Sequence, residues 1–194
     1  MSNATIFTKY LDDELMGIVI AGGVGIMPTD TMYGIVASAY YKNAVERIYT
    51  LKRRQGKPGT IIASSVEQLV DIGISRQDIE RACVYWPGAV SVVLPIKNDK
   101  TWLHQGYKTV PVRIIENGEL AQLLEVVGPL VTSSANLSAQ PPITTIGEAK
   151  KVFADELDFY VDIGEIAHST ASTIITFDDN NEIKILRQGV VNIN

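Results

Sequence analysis

Short β-branched runs alternate with stretches of helical periodicity along most of this chain, and that alternation constrains the fold more than any other feature. In residues 42–53, for example, apolar side chains recur at Val45, Ile48 and Tyr49, which is the spacing of one helix face. The apolar run at residues 60–63 follows and is too short for a helix. Such alternation is typical of a mixed sheet flanked by helices rather than of a helical bundle. We therefore predict an open, twisted α/β (α+β) sheet.

The same patterns place the remaining elements. Helices are predicted over residues 7–22, 42–53, 66–72, 76–85, 120–127 and 146–154. Strands are predicted over residues 24–27, 60–63, 90–96, 110–115, 130–132, 159–163, 172–177 and 183–187. Neither a repeat nor a shift in composition separates these elements, so residues 1–194 are expected to form a single domain.

Charge and cysteine content narrow the functional classes. The net charge of −5 argues against a protein that depends on non-specific contacts to nucleic-acid phosphates, because such proteins are usually basic. A single cysteine, Cys83, excludes an intramolecular disulfide and fits a reducing compartment. His104 and His168 lack the spacing of a zinc site, and no apolar run approaches the about 20 residues that span a bilayer. We expect a cytoplasmic protein without a membrane segment or a protein-bound metal.

Four polar segments lie at the ends of predicted strands or helices, and the ends of strands are where open α/β sheets commonly bind ligands. They are residues 28–34, the cluster at residues 52–54 with Lys57, residues 132–136 and residues 169–173. The basic cluster places four cations within six residues, and arginine forks beside lysines suit a polyphosphate. Hydroxyl and amide side chains in the other segments suit a small polar ligand or phosphate and ribose oxygens. Taken singly, each segment is equally explained by a turn, a helix cap or a solvated helix end.

Several common catalytic signatures are absent from the sequence. It contains no Gly-x-x-x-x-Gly-Lys-Ser/Thr loop and no Gly-x-Gly-x-x-Gly after a strand, which disfavours P-loop and dinucleotide-binding proteins. Ser134 has no Gly-x-Ser-x-Gly elbow around it, which disfavours a serine hydrolase.

Taken together, the polar segments resemble the Sua5/YrdC/TsaC family of threonylcarbamoyl-AMP synthases in its short, single-domain form. The family pattern Pro-Thr-Asp/Glu-Thr-x-Tyr-Gly is matched by residues 28–34, and Lys-x-Arg by Lys52 and Arg54. The motifs that follow are Trp-Pro-Gly at 86–88, Thr-x-x-Val-Arg at 109–113, Ser-x-Asn at 134–136, Ser-Thr-Ile at 172–174 and Arg-x-Gly at 187–189. Each motif alone is weak, but seven in order over about residues 17–190 are a specific signal.

This resemblance implies a YrdC-like sheet with a concave, basic ligand-binding face. The implied enzyme is a nucleotidyltransferase that forms L-threonylcarbamoyladenylate and pyrophosphate from L-threonine, bicarbonate and ATP with Mg²⁺. Its product serves the N6-threonylcarbamoyladenosine modification of tRNA through downstream transfer proteins. Carried across by position, L-threonine would contact Thr29, Thr31, Tyr33, Arg113, Thr132 and Ser172. ATP would contact Lys52, Arg54, Thr109, Ser134, Asn136 and Arg187, with Lys52 and Arg54 as catalytic residues and Arg53 facing solvent.

Two alternatives to the synthase stay open at this point. A diverged relative would keep the scaffold and bind a nucleotide without the reaction, and an RNA-binding protein would take tRNA or double-stranded RNA as its main ligand. The intact Lys-x-Arg and Ser-x-Asn motifs favour the synthase over the first alternative. The net charge of −5 disfavours the second, because RNA affinity depends on neutralised phosphates.

Overall fold

A computed structural model describes residues 4–53, 56–97, 99–116, 118–137, 140–167, 170–178 and 180–193. Within these ranges, ten strands join in one mixed sheet. The strands are β1 (Thr5–Phe7), β2 (Gly25–Pro28), β3 (Tyr33–Ser38), β4 (Thr60–Ala63), β5 (Val90–Pro95), β6 (Thr109–Ile114), β7 (Leu130–Ser134), β8 (Phe159–Val161), β9 (Thr173–Phe177) and β10 (Ile183–Arg187). Their order across the sheet is β1-β8-β2-β3-β7-β4-β6-β5-β9-β10.

Seven α-helices and one 3₁₀ turn (Cys83–Tyr85) connect the strands in the described part of the chain. The helices are α1 (Asp13–Ile20), α2 (Lys42–Leu51), α3 (Val66–Asp71), α4 (Arg76–Ala82), α5 (Thr101–His104), α6 (Gly118–Val127) and α7 (Ile146–Phe153). Side-chain oxygens of Asp12, Ser65, Ser75 and Thr145 cap four of them by accepting from first-turn amides. Among these helices, none combines the length and apolar character needed to cross a membrane.

Two hydrophobic cores lie on opposite faces of the sheet, because successive strand side chains alternate between faces. The first core packs α2, α3, α4, α5 and α7 against strand residues such as Ile35, Ile61 and Val112. The second core packs α1 and α6 against Met27 and Val36. In the described residues, the second core draws on β1, β8, β2, β3, β7 and β4 but takes no residue from β6, β5, β9 or β10. The second face of that last group is therefore open.

The alternation of strand side chains also determines which residues line the open half of the second face, that is, the part formed by β6, β5, β9 and β10. Val110, Val112 and Ile114 of β6 point into the first core, so Arg113 between them points to the open side. Ser91 of β5 lies on the same open side for the same reason. On this open part of the second face, polar side chains thus occupy strand positions that apolar side chains occupy where α1 and α6 cover the same face.

The predicted mixed sheet with flanking helices is confirmed, and the structure differs in three places. The helix predicted to begin at residue 7 begins instead at Asp13, after the capping residue Asp12, and β1 precedes it. β3 escapes sequence prediction because its apolar run at residues 35–37, between Gly34 and Ser38, is too short to indicate a buried strand. α5 escapes it because four residues are too few to show helical periodicity.

Candidate active site

Two adjoining cavities lie over the open half of the sheet. The smaller has a volume of about 170 Å³ and the larger of about 730 Å³. Pro58, Pro111, Ser134, Ile174 and Arg187 line both. The larger cavity falls within the range of about 300–1,000 Å³ that is typical of small-molecule sites, and the smaller lies below it. The arrangement suits a compact ligand held beside a larger one.

Arg113 supplies a buried cation to the smaller cavity. Its side chain is 3% exposed, and its Nη2 donates to Asp30 Oδ1 at 2.5 Å. Its Nη1 donates to Ser91 Oγ at 2.9 Å. Its Nε is buried and has no hydrogen-bond partner within the described residues. A guanidinium with a spare donor at a cavity wall is suited to bind a ligand carboxylate.

The turn between β2 and β3 brings Asp30 to Arg113. Thr29 organises this turn, because its Oγ1 donates to Met32 O at 2.8 Å and accepts from Met32 N at 3.3 Å. The hydroxyls of Thr29 and Thr31 lie 3.3 Å apart. Both threonines line the smaller cavity, so the turn presents two hydroxyls and a carboxylate at one place.

Gly34 allows Thr132 to lie close against β3 at the same cavity. A Cβ at residue 34 would lie 2.5 Å from Thr132 Oγ1 and 3.1 Å from Thr29 Cγ2. Thr132 is buried and lines the smaller cavity. The last glycine of the segment at residues 28–34 therefore preserves the space that both threonine side chains need.

A chain of hydrogen bonds runs from the smaller cavity to its border with the larger one. Ser91 Oγ, which accepts from Arg113, lies 3.0 Å from Ser172 Oγ. Arg187 Nη2 donates to Ser172 O at 2.8 Å and to Ser172 Oγ at 3.2 Å. We refer to Asp30, Arg113, Ser91, Ser172 and Arg187 as the arginine network. Its two guanidinium groups are thereby fixed relative to each other.

Gly189 explains the Arg-x-Gly motif at the end of this network. A Cβ at Gly189 would collide with the backbone of Ala171 and Ser172. Gly189 N donates to Thr173 Oγ1 at 3.0 Å, and Val190 N donates to Ala171 O at 3.0 Å. This close backbone approach anchors the chain just after Arg187 to the start of β9.

Lys52 lines the larger cavity. It caps the C-terminal end of α2 and is 2% exposed. Its Nζ donates to Ser134 O at 2.5 Å and to Asn136 O at 2.6 Å. Asn136 Nδ2 donates to Leu137 O at 3.0 Å, whereas Asn136 Oδ1 is buried and lacks a hydrogen-bond partner in the described residues. The lysine thus holds the loop after β7 in place beside the cavity.

The outer rim of the larger cavity is apolar. Tyr107 is 58% exposed and Leu186 is 51% exposed, and both line this cavity with Val93. His104 holds the loop that carries Tyr107, because its Nδ1 accepts from Gly106 N at 3.1 Å and from Lys108 N at 3.3 Å. An exposed aromatic ring on a fixed loop offers a surface on which a flat ring can stack.

The structure brings most of the residues assigned by resemblance to the two cavities. The smaller cavity is lined by Thr29, Thr31, Arg113, Thr132 and Ser172 of the predicted threonine set. The larger cavity is lined by Lys52, Thr109, Ser134, Asn136 and Arg187 of the predicted ATP set. Arg53 is exposed and also lines the larger cavity. Arg54, His168 and Ser169 lie outside the described residues.

Tyr33 is the exception and its assignment needs correction. Its side chain is fully buried in the first core, and its hydroxyl donates to Gly164 O at 2.7 Å and accepts from Ile163 N at 3.3 Å. Burial raises the pKa of this hydroxyl above its ordinary value. Because Gly34 faces the smaller cavity, the neighbouring Tyr33 points to the opposite face of β3. Tyr33 therefore fixes the loop at residues 163–164 and does not line the smaller cavity.

Sequence reasoning missed two members of the arginine network, Asp30 and Ser91. Asp30 lies inside the motif at residues 28–34, but its pairing with Arg113 depends on strands distant in sequence. Ser91 interrupts the apolar run of β5, which is the available sequence signal for a buried polar role.

The described residues contain no group of three or more His, Cys, Asp or Glu side chains that could hold a metal ion. The carboxylate of Asp30 beside the smaller cavity is engaged by Arg113. Mg²⁺ is often bound through substrate phosphates with few protein ligands. Among the described residues these carboxylates form no cage for a metal ion, and the binding of Mg²⁺ with ATP stays a prediction.

Comparison with known proteins gives concordant similarities. The Sua5/YciO/YrdC family model, described as "Telomere recombination", matches residues 18–189. A threonylcarbamoyl-AMP synthase from Pseudoalteromonas translucida is 36% identical over 161 residues, which cover 79% of this chain and 86% of that relative. Sua5 from P. abyssi in complex with L-threonine has a TM-score of 0.81 at 27% identity, and the match covers 96% of this chain and 57% of that one. E. coli YciO shares the fold, with a TM-score of 0.81 at 23% identity over 99% of this chain and 98% of its own.

Proposed function

The chain belongs to the Sua5/YciO/YrdC family, and on that premise we propose that it is an L-threonylcarbamoyladenylate synthase. In the proposed reaction, L-threonine, bicarbonate and ATP give L-threonylcarbamoyladenylate, pyrophosphate and water. The enzyme would be a nucleotidyltransferase, because the adenylyl group of ATP moves to a carbamate oxygen. The name of the P. translucida relative and the L-threonine complex of P. abyssi Sua5 support this proposal.

The observation that carries the proposal is the Arg113–Asp30 pair at the smaller cavity. A free amino acid carries one carboxylate and one ammonium group, and this pair offers a charge opposite to each. The hydroxyls of Thr29, Thr31 and Thr132 supply partners for a hydroxyl-bearing side chain. Arg113 is buried whereas Asp30 is exposed, so the pair joins a cation held in the sheet to a carboxylate that a ligand can reach.

The proposed chemistry needs positioning and fixed cations rather than an enzyme nucleophile. The threonine nitrogen attacks the carbon of carbon dioxide or bicarbonate, so a C–N bond forms; from bicarbonate, water leaves. A carbamate oxygen then attacks the α-phosphorus, and the bond from that phosphorus to the bridging oxygen breaks as pyrophosphate departs. Holding three anionic reactants together and stabilising charge on the leaving group accounts for the catalysis.

We assign the triphosphate to the side of the larger cavity that contains Lys52 and Arg187. Arg54 joins this assignment through the family's Lys-x-Arg motif. Mg²⁺ would arrive on the phosphates and neutralise charge as pyrophosphate leaves. The base is assigned to the apolar rim formed by Tyr107 and Leu186, where it can stack on an exposed ring.

The product of this reaction is a mixed anhydride that must react with a further acceptor. We propose that downstream transfer proteins deliver its threonylcarbamoyl group to tRNA. Direct tRNA binding by this chain is not required for the proposed chemistry. The net charge of −5 gives no support to RNA as the main ligand.

The decisive experiment measures pyrophosphate release by the full chain with ATP, Mg²⁺, bicarbonate and L-threonine. We expect release to require both L-threonine and bicarbonate, and mass spectrometry to detect threonylcarbamoyladenylate. L-Valine, which replaces the hydroxyl by a methyl group, is the matched control and should support little release. Binding of ATP without threonine-dependent release would instead support the diverged nucleotide-binding relative. RNA binding that falls steeply with salt, without turnover, would support the RNA-binding alternative.

A further inference from the structure

Ser91 of β5 lies at the centre of the arginine network without reaching a cavity itself. It is 0% exposed, and within the described residues it lines neither cavity. Its Oγ accepts from Arg113 Nη1 at 2.9 Å and lies 3.0 Å from Ser172 Oγ. Any effect of Ser91 on a ligand must therefore pass through Arg113 or Ser172.

The burial of Ser91 determines the direction of its hydrogen bond with Ser172. A hydroxyl has one proton to donate and two lone pairs with which to accept. Ser91 already accepts from Arg113. If it also accepted from Ser172, its own proton would have no partner among the described residues, which protein interiors avoid. Ser91 therefore donates to Ser172 Oγ.

Donation by Ser91 leaves the hydroxyl of Ser172 with a proton of its own to donate. Ser172 Oγ accepts from Ser91 and also from Arg187 Nη2 at 3.2 Å, so both of its lone pairs are used. Its own proton is then free to be donated elsewhere. Because Ser172 lines the smaller cavity, that proton is available to a ligand there.

We propose that Ser91 is a positioning residue for the carboxylate of the amino-acid substrate. By donating to Ser172 it commits the Ser172 hydroxyl to donate into the smaller cavity, and by accepting from Arg113 it fixes the guanidinium beside it. Both anion-binding groups thus depend on one buried hydroxyl that touches no substrate. The inference rests on the proposed function for the identity of the ligand.

The test measures the affinity of the full-length protein for two ligands by calorimetry, L-threonine and L-threoninamide, which lacks the charged carboxylate. We expect Ser91→Ala to weaken L-threonine binding by about 10-fold and L-threoninamide binding by less than about 3-fold. Ser38→Ala is the matched control, because Ser38 is a buried serine of β3 that lines neither cavity within the described residues. It should leave both affinities unchanged. A merely structural role for Ser91 would lower both affinities equally, and that result overturns the proposal.

A double-mutant cycle then tests the path through Ser172. If Ser91 acts partly by orienting Ser172, the two substitutions should not have independent effects. The loss of L-threonine affinity in the Ser91→Ala, Ser172→Ala double variant should then be smaller, by at least about 2-fold, than the product of the losses in the two single variants. Fully additive effects overturn that path. If Ser91→Ala does not fold, the same two-ligand ratio is measured with Ser91→Cys, whose thiol is a weak donor of similar size. Failure of the unaltered protein to bind L-threonine would count against the proposed function, whereas equal binding by Ser91→Ala would count against this inference.

Discussion

The second face of the sheet is built in two contrasting halves. In the covered half, α1 and α6 pack on apolar side chains such as Met27 and Val36 and exclude water. In the open half, Arg113 and Ser91 occupy positions of the same kind on neighbouring strands, and their partners are polar. One continuous sheet supports both halves, so the difference lies in which side chains alternation presents and whether helices cover them.

The change from one half to the other occurs within a single strand. Leu130 at the start of β7 belongs to the second core, whereas Thr132, two residues later on the same face, lines the smaller cavity. β4 shows the converse order, with Thr60 at the cavity and Ile62 in the second core. The covered half thus extends directly into the site, and the strands that carry Thr60 and Thr132 are anchored in the second core.

The largest expected effect comes from making the open half resemble the covered one. Arg113→Met replaces the buried cation by an apolar side chain of similar length and leaves Asp30 without its partner. We expect threonine-dependent pyrophosphate release to fall by about 100-fold or more, which corresponds to about 3 kcal/mol. Steady-state kinetics at several threonine concentrations would measure the loss.

Arg113→Met combined with Asp30→Asn serves as its control, because it also removes the carboxylate that the single variant leaves without its partner. Thermal stability lost through that unpaired carboxylate should return in the double variant without a return of activity, which would separate ligand binding from folding. Retention of threonine-dependent release by Arg113→Met would contradict the assignment of the substrate carboxylate to this residue.

An effect of comparable size, on stability rather than activity, is expected in the covered half. Leu123 of α6 is fully buried in the second core. Leu123→Ala should lower the free energy of unfolding by about 2–4 kcal/mol, because it creates a cavity in a packed core. The KM values for threonine and ATP should change by less than about 2-fold, because Leu123 is not among the described residues that line either cavity.

Denaturant unfolding and steady-state kinetics on the same preparation would check both halves of this expectation. Val126→Ala provides the matched control on the same helix, because Val126 is exposed and should affect neither stability nor KM. A KM increase of about 10-fold or more for Leu123→Ala, with little loss of stability, would show that the covered half participates in ligand binding.

The fold could be predicted from the sequence wherever a strand or helix shows its own periodicity. β4 and α2 do so, because one is a short apolar run and the other has a clear inner face. β3 does not, because Gly34 and Ser38 limit its apolar run to three residues, 35–37. The pairing of β3 with β7, about 100 residues later in the chain, is a long-range property that local periodicity does not encode.

The site could be predicted only as far as its motifs reach. Arg113 and Ser172 follow from family motifs, but the serine between them in space, Ser91, does not. The motif predicts Tyr33 as a ligand contact, but strand alternation turns its side chain to the opposite face. Motif membership places a residue near a site, whereas strand register decides which side chain faces it.

The smallest effect is expected at the apolar rim, where the open half meets solvent. Tyr107→Ala removes an exposed ring from the larger cavity. Because stacking of a base on an aromatic ring contributes about 1–3 kcal/mol and this ring is partly solvated, we expect the lower end, a rise of about 5-fold in the Kd for ATP. Threonine affinity should not change, since the described residues that line the smaller cavity do not include Tyr107.

Tyr107→Phe sharpens this prediction, because it keeps the ring and removes only the hydroxyl. Calorimetric titration with ATP should give wild-type affinity for Tyr107→Phe and weakened affinity for Tyr107→Ala. Titration with inorganic triphosphate, which has no base, should not distinguish the two variants. If Tyr107→Ala weakened triphosphate binding as much as ATP binding, the rim would act on the phosphates, and the base would have to lie elsewhere in the larger cavity. Tyr107 would then contribute to ATP binding through the phosphates and not by stacking on the base.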